Sequence, residues 1–224
     1  IPGVIALNNS IKQHGHVHNL MVMVTDNISL SSVNTLKDND ILTRQVPRIP
    51  YNGQRKDQIL DRYGKSDTSW KMFTKLNAWK QTDYSKLIYL DADTLVLKNI
   101  DILFSVDELG AVLGGSEILQ YNGIEAGVLV LEPNENMYKD MIDRLRSDKY
   151  DIKMSDQSFL NDYFTKHGKI NYIPETFNRR WKKNRDTGSC HIFHFNANKP
   201  WIDPERLDKN SVNIWKKYYE ENNH

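Results

Sequence analysis

At 224 residues the chain is long enough to bury a core without staples, and its one cysteine, Cys190, excludes an intrachain disulfide. Thirty Lys and Arg against 29 Asp and Glu leave a net charge of +1, which speaks against the basic excess of a nucleic-acid binder. No apolar run reaches the ~18 residues of a membrane span, and the single thiol fits a reducing, cytoplasmic setting.

The chain opens with Pro2 and a helical apolar pattern, Val4, Leu7 and Ile11. An α/β domain normally begins with a strand before such a helix, so the first strand is expected to be missing here, as in a catalytic fragment. A strand is predicted over 20–24, a short helix over 29–36 and a strand over 41–46, closed by Pro47 and Pro50. Residues 48–68 read as a long polar excursion. A helix follows, with Asp67 or Thr68 as its cap and Trp70, Phe73, Leu76 and Trp79 on its apolar face. Strands are predicted over 87–90, 95–97, 111–114, 128–131, 170–173 and 190–195, with a turn at 121–123. Helices are predicted from Pro133 and Asn134 through Leu145, from Ser155 to Gly168, and over 204–219. Alternation of strands and helices predicts an α/β fold in one domain, 1–224, with a mostly parallel central sheet and helices on both faces.

The candidate chemistry begins where the strand 87–90 stops in Asp91 and Asp93. On extended backbone, side chains at i and i+2 share one side, and two carboxylates there repel. A divalent cation relieves that repulsion and suits oxygen ligands. A solvated strand end or a helix cap is the competing reading of the bare pair. His191 and His194 face opposite sides of their strand, so only one can join the acids; His194 stands at the strand end, where open α/β sheets bind ligands. Imidazole plus two carboxylates favours Mn²⁺ over Mg²⁺, which remains the second candidate. Lys199 follows as a phosphate partner. Asp156 and Gln157 begin a helix, where capping by Ser155 or Asp156 is the competing role. Glu125 sits in an apolar strand, a costly place for an acid that is neither paired nor functional. Lys75 lies within a helix, where a solvated lysine is the ordinary case.

The segment YSKLIYLDADTLVLKNIDILF (84–104) resembles the metal-binding segment of the glycogenin-like retaining glycosyltransferases, glycosyltransferase family eight. HFNANKPW (194–201) resembles the family's H-F-x-G-x-x-K-P-W element, one residue shorter and with Ala197 for the usual glycine. SDQSFLN (155–161), FTKLNAW (73–79), PGVIALNNSIKQHG (2–15) and IEAGVLVLEPN (124–134) resemble further family elements, so the likeness runs over nearly the whole chain. The resemblance implies a GT-A, Rossmann-like domain that moves a hexose, glucose first, from a UDP-sugar to a glycan or protein acceptor. It implies metal ligation by Asp91, Asp93 and His194, and donor contacts at Lys75, Ala92, Ala197 and Lys199. Asp156, Gln157, Lys75 and Glu125 fall at the reaction centre, with Glu125 standing where asparagine is usual. UDP-galactose and UDP-glucuronic acid are alternative donors, and a homodimer is compatible with the resemblance. A non-catalytic sugar-nucleotide or glycan-binding module is the alternative of another class; retention of a diphosphate clamp argues against it. The basic stretch 178–190 holds no tyrosine, unlike the region where glycogenin modifies itself.

Overall fold

The computed structural model describes residues 1–15, 17–51, 69–116, 121–147, 149–152, 154–182, 188–196 and 198–220. In chain order these form α1 (Pro2–Gln13), β1 (Met21–Val24), α2 (Leu30–Asp38), β2 (Leu42–Gln45), a 3-10 helix (Ser69–Lys80), β3 (Leu87–Leu90), β4 (Thr94–Val96), β5 (Gly110–Ser116) and β6 (Tyr121–Leu131). They continue with α3 (Glu135–Arg146), α4 (Asp156–His167), β7 (Asn171–Ile173), β8 (Arg179–Arg180), β9 (Ile192–His194) and α5 (Lys209–Glu220). The mixed α/β class is as expected. The excursion at 52–68 and the caps Asp67 and Thr68 lie outside the described residues. The turn expected at 121–123 is instead the start of β6, whose first residues pair with the far end of β5.

The chain groups into two compact units, one of residues 1–45, 90–102 and 174–224, the other of 46–89 and 103–173. In the first, β1 and β2 pair in parallel, while β9 lies between antiparallel β4 and parallel β8. Helix α1 has Pro at its first turn, where a missing N–H costs nothing. It is buried on more than one side, so even Asn8, Asn9 and Ser10 are enclosed and need partners. Asn9 donates to the carbonyl of Tyr218 (2.8 Å), and Ser10 Oγ accepts from Val96 N–H (3.0 Å). Ala6, Leu95, Phe193, Phe195, Trp215 and Tyr218 form the core beneath, with Phe193 and Phe195 edge-to-face at 5.0 Å. Leu95, Phe193 and Phe195 each contribute about 1.5–3 kcal/mol by leaving water.

The second unit carries the sheet β3-β6-β5-β7, in which β5 runs antiparallel to β6 and parallel to β7. The helix 69–80 is 3-10 and not α. Its buried Phe73, Leu76 and Trp79 recur every third residue, the spacing that a three-residue turn lays on one face. Phe73 meets Phe159 edge-on at 5.9 Å, and Trp79 lies 5.9 Å from Phe164. The Trp79 indole N–H donates to Glu108. Asn134 caps α3 by accepting from Met137 N–H (3.0 Å), as its position before the apolar run predicts.

Candidate active site

The two acids of the Asp91–Asp93 pair are brought together by a turn and not by extended alternation. After β3 the chain folds at residues 92 and 93 before β4 begins. The carbonyl of Asp91 accepts both Thr94 N–H (3.1 Å) and Thr94 Oγ1–H (2.8 Å), which closes the turn. Phe195 N–H donates to the carbonyl of Asp93 (2.9 Å), and β4 pairs Thr94 with His194. This ties the acid turn to the end of β9. β3 itself is half-buried throughout, less enclosed than the apolar run predicts.

His194 is buried, and its Nε2 lies 3.2 Å from Asp93 Oδ1 and 4.0 Å from Asp91 Oδ2. One ligand atom from each of Asp91, Asp93 and His194 falls within 4.8 Å of the others. Two carboxylate oxygens and an imidazole nitrogen converging in this way fit a divalent cation. Lys199 pairs with Asp93 Oδ2 and donates to the carbonyl of Phe195. Burial alone would raise Asp93; the hydrogen bond and charge of His194, with the Lys199 ammonium, outweigh it and hold the carboxyl well below its usual range. His191 is directed elsewhere: its ring stacks on Phe177 at 4.3 Å, and its backbone N–H donates to the Thr176 carbonyl. Ala92 belongs to the turn, and its carbonyl lies beside Gly3 of α1, where a Cβ would come within 2.4 Å. Ala197 lies outside the described residues.

The second unit gathers Lys75, Glu125, Asp156 and Gln157 at one place on β6. The β5–β6 register jumps from Ala111–Leu129 to Val112–Glu125, so 126–128 have no partner residues on β5. Such bulges recur beside active sites, because they release backbone groups from the ladder. Here the Ala126 carbonyl accepts from Lys75 Nζ (2.9 Å), and Ala126 N–H donates to Gln157 Oε1 (3.2 Å). Lys75 also pairs with Asp156 Oδ2 at 2.6 Å, both side chains being over nine-tenths buried, and its ammonium lies 5.2 Å from the Tyr89 ring. Asp156 is therefore a buried ion-pair partner, and Ser155 makes no side-chain cap to α4. Ser155 itself takes φ 56°, ψ −130°, a region costly to any residue with a Cβ, immediately before Asp156. Glu125 is buried, and Gly114 leaves the space its carboxyl fills: a Cβ there would fall 2.1 Å from Glu125 Oε1. Burial, followed by the charges of Glu125, Asp151 and Asp156, pushes the Tyr121 phenol above its ordinary value.

Sequence reasoning passed over Asn178, which is 1% exposed and whose Oδ1 lies 2.9 Å from His194 Nδ1. It also passed over the backbone of Ala126, since a register jump leaves no mark in a residue pattern. Of the basic stretch, Arg179 and Arg180 form β8, and the Trp181 indole donates to Asp208 (3.0 Å); 183–187 lie outside the described residues. Tyr218 is buried with its hydroxyl 3.1 Å from His14, Tyr219 stacks on Trp215, and Tyr172 is exposed.

The fold is that of the GT-A glycosyltransferases: galactosyltransferase LgtC in complex with donor and acceptor sugar analogs matches with a TM-score of 0.68 and 17% identity, over all of this chain and 92% of that one. The family model for Glycosyl transferase family 8 matches residues 1–204, and the chain belongs to that family. A putative UDP-glucuronate:xylan alpha-glucuronosyltransferase 5 of Arabidopsis thaliana is 36% identical over 165 residues, 72% of this chain and 26% of the relative. Human Glycogenin-1 is 31% identical over 163 residues, 73% of this chain and 44% of the relative. The chain thus spans between about a quarter and under a half of the length of these relatives.

Proposed function

We propose that residues 1–224 form one catalytic domain of a metal-dependent, retaining hexosyltransferase that takes its sugar from a UDP-sugar and passes it to a glycan or protein acceptor. The observation that carries this reading is the convergence of Asp91, Asp93 and His194, with Lys199 on the same carboxylate. These three residues would hold the cation, Mn²⁺ before Mg²⁺ because of the imidazole. The cation, when bound, supplies positive charge against the departing diphosphate. The Lys199 ammonium adds fixed charge for the same leaving group, and Ala92 flanks the donor.

Lys75 orients the Asp156 carboxylate by direct pairing, and Gln157 accepts from Ala126 N–H. We assign Lys75, Asp156 and Gln157 to the transfer step. Glu125 serves as nucleophile if retention runs by double displacement; front-face attack would need none.

Glucose is the first donor on the likeness to glycogenin, in a cytoplasmic setting. The glucuronosyltransferase relatives favour UDP-glucuronate as the second reading. Turnover of a panel of UDP-sugars, followed by mass spectrometry with and without added glycans, decides between them. Asp93→Asn is the control: it should abolish metal-dependent UDP binding while leaving the fold intact. UDP and Mn²⁺ binding by Asp93→Asn at the wild-type level would remove the site assignment.

A further inference from the structure

Asn178 lies behind the metal-ligand candidates and fixes which nitrogen of His194 can serve. A neutral imidazole carries one N–H and one lone pair, and the hydrogen bond at one nitrogen decides where the other's lone pair points. His194 Nδ1 meets Asn178 Oδ1 at 2.9 Å, while Nε2 faces Asp93 and Asp91. A carbonyl oxygen only accepts, so Nδ1 carries a proton. A cation that takes the place of the proton between Nε2 and Asp93 then meets the Nε2 lone pair, because Nδ1 stays bonded to Asn178.

The placement of Asn178 is not incidental. It follows a 3-10 turn (Glu175–Phe177), and its backbone N–H closes that turn on the Glu175 carbonyl (3.1 Å). The next two residues pair in parallel with Phe193 and His194. Trp181 N–H donates to the His194 carbonyl (2.8 Å), and His191 N–H to the Thr176 carbonyl (2.7 Å). Phe177 stacks on His191. β9, with His191 just before it, is therefore tied to the segment bearing Asn178 at His191, Phe193 and His194. The amide and imidazole are each more than nine-tenths buried, so water does not compete for their hydrogen bond.

We propose that Asn178 is a positioning residue of the metal centre: its side-chain carbonyl holds His194 as the Nδ1–H tautomer and so sets cation affinity. This rests on the metal reading above. Outer partners of ligating histidines ordinarily govern affinity by about 10–100-fold.

The test uses the whole chain, free of metal and then titrated with Mn²⁺ by calorimetry. At a pH well above the imidazole's ordinary value, nitrogen-15 imidazole spectra of the wild type should show His194 protonated on Nδ1. Asn178→Leu removes the acceptor and should lose that tautomer and weaken Mn²⁺ about 10–100-fold, while Asn178→Asp keeps an acceptor and should retain both. A wild-type His194 with no proton on Nδ1 overturns the proposal. So does a folded Asn178→Leu that binds Mn²⁺ within about twofold of wild type, or an Asn178→Asp that binds as weakly as Asn178→Leu. If Asn178→Leu does not fold, the wild-type spectrum and the Asn178→Asp titration decide alone. The Asp93→Asn control separates the two failures. Unchanged Mn²⁺ binding there removes the metal reading, whereas the tautomer is read without any metal.

Discussion

Gly3→Ala tests whether the first turn of α1 supports the acid turn. Gly3 shows no backbone angle that alanine must avoid, and in a helix interior alanine is favoured over glycine by about 1 kcal/mol. On propensity alone the variant should be more stable. The surroundings point the other way. A Cβ at Gly3 would stand 2.4 Å from the Ala92 carbonyl oxygen and 2.6 and 2.9 Å from Cη2 and Cζ2 of Trp201. Neither neighbour yields easily. The carbonyl belongs to the backbone between Asp91 and Asp93, and the Trp201 indole packs 5.7 Å from Trp215. Overpacking of this kind costs about 1–3 kcal/mol, which offsets the propensity gain of about 1 kcal/mol and leaves a net loss of up to about 2 kcal/mol. For a chain of this size the melting temperature should fall by up to about 8 °C. Displacing Ala92 should also separate the two carboxylates, so Mn²⁺ binding by calorimetry should weaken beyond what lost stability explains. Gly15→Ala supplies the contrast: Gly15 has φ +66° and open space around it, so its cost is backbone strain alone and Mn²⁺ affinity should hold. A Gly3→Ala protein that melts at or above the wild type and binds Mn²⁺ normally would refute the reasoning.

Two further outcomes follow from the second unit. Asp156→Ala leaves the Lys75 ammonium buried without its carboxylate and should cost about 3–5 kcal/mol in urea unfolding, well above the ~1 kcal/mol of a lost cap. Lys75→Met combined with Asp156→Leu should recover most of that stability and no turnover; a loss near 1 kcal/mol in the single variant would return Asp156 to a capping role. Glu108 is raised by burial, which outweighs the bonds from the Trp79 indole and Glu132 N–H. A carboxyl whose folded value lies above its unfolded one contributes stability that is complete below the unfolded value, about 4.3, and is lost as pH rises through the folded value. Glu108→Gln keeps the acceptor oxygen without the charge, so it should gain on the wild type as pH rises from about 4 towards neutrality. A melting-temperature difference that runs the other way would show that Glu108 is not raised.

The parts of this protein legible in its sequence are those that short-range chemistry dictates. Asn134 and Ser29 cap α3 and α2 because a short polar acceptor before an apolar-periodic run has few better partners than a free N–H. β1 and β9 follow from short apolar runs, and β2 from the stretch that Ile41 and Val46 bracket and Pro47 closes. The 3-10 helix was readable as a helix but not as its type, since Phe73, Leu76 and Trp79 satisfy a period of 3 nearly as well as 3.6. The strand 121–131 was split because Asn122-Gly123 carries turn chemistry, yet in place Gly123 lies where a Cβ would meet Asn161 at 2.7 Å. There glycine serves close approach within a strand, the other use of the residue.

The candidate site divides along the same line. Asp91 and Asp93 announce themselves by adjacency, but the reason they converge is the double acceptance by the Asp91 carbonyl, which depends on Thr94 and not on alternation. His194 is 101 residues beyond Asp93, and in sequence only its place at a strand end and the family resemblance joined them. What joins them physically is the β4–β9 ladder, with Thr94 opposite His194 and the Asp93 carbonyl bonded to Phe195. Asn178 is a step further removed, because no property of its neighbours Phe177 and Arg179 marks it as an acceptor. Its role appears only when β8 is laid beside β9 and the imidazole's second nitrogen needs a partner. The same holds at Ala126, where an alanine's backbone organises Lys75 and Gln157 although its side chain has no chemistry. A site assembled in this way tolerates change in side chains that only fill space more readily than change in register. A one-residue shift of β4 against β9 would reverse the faces and carry His194 away from both acids.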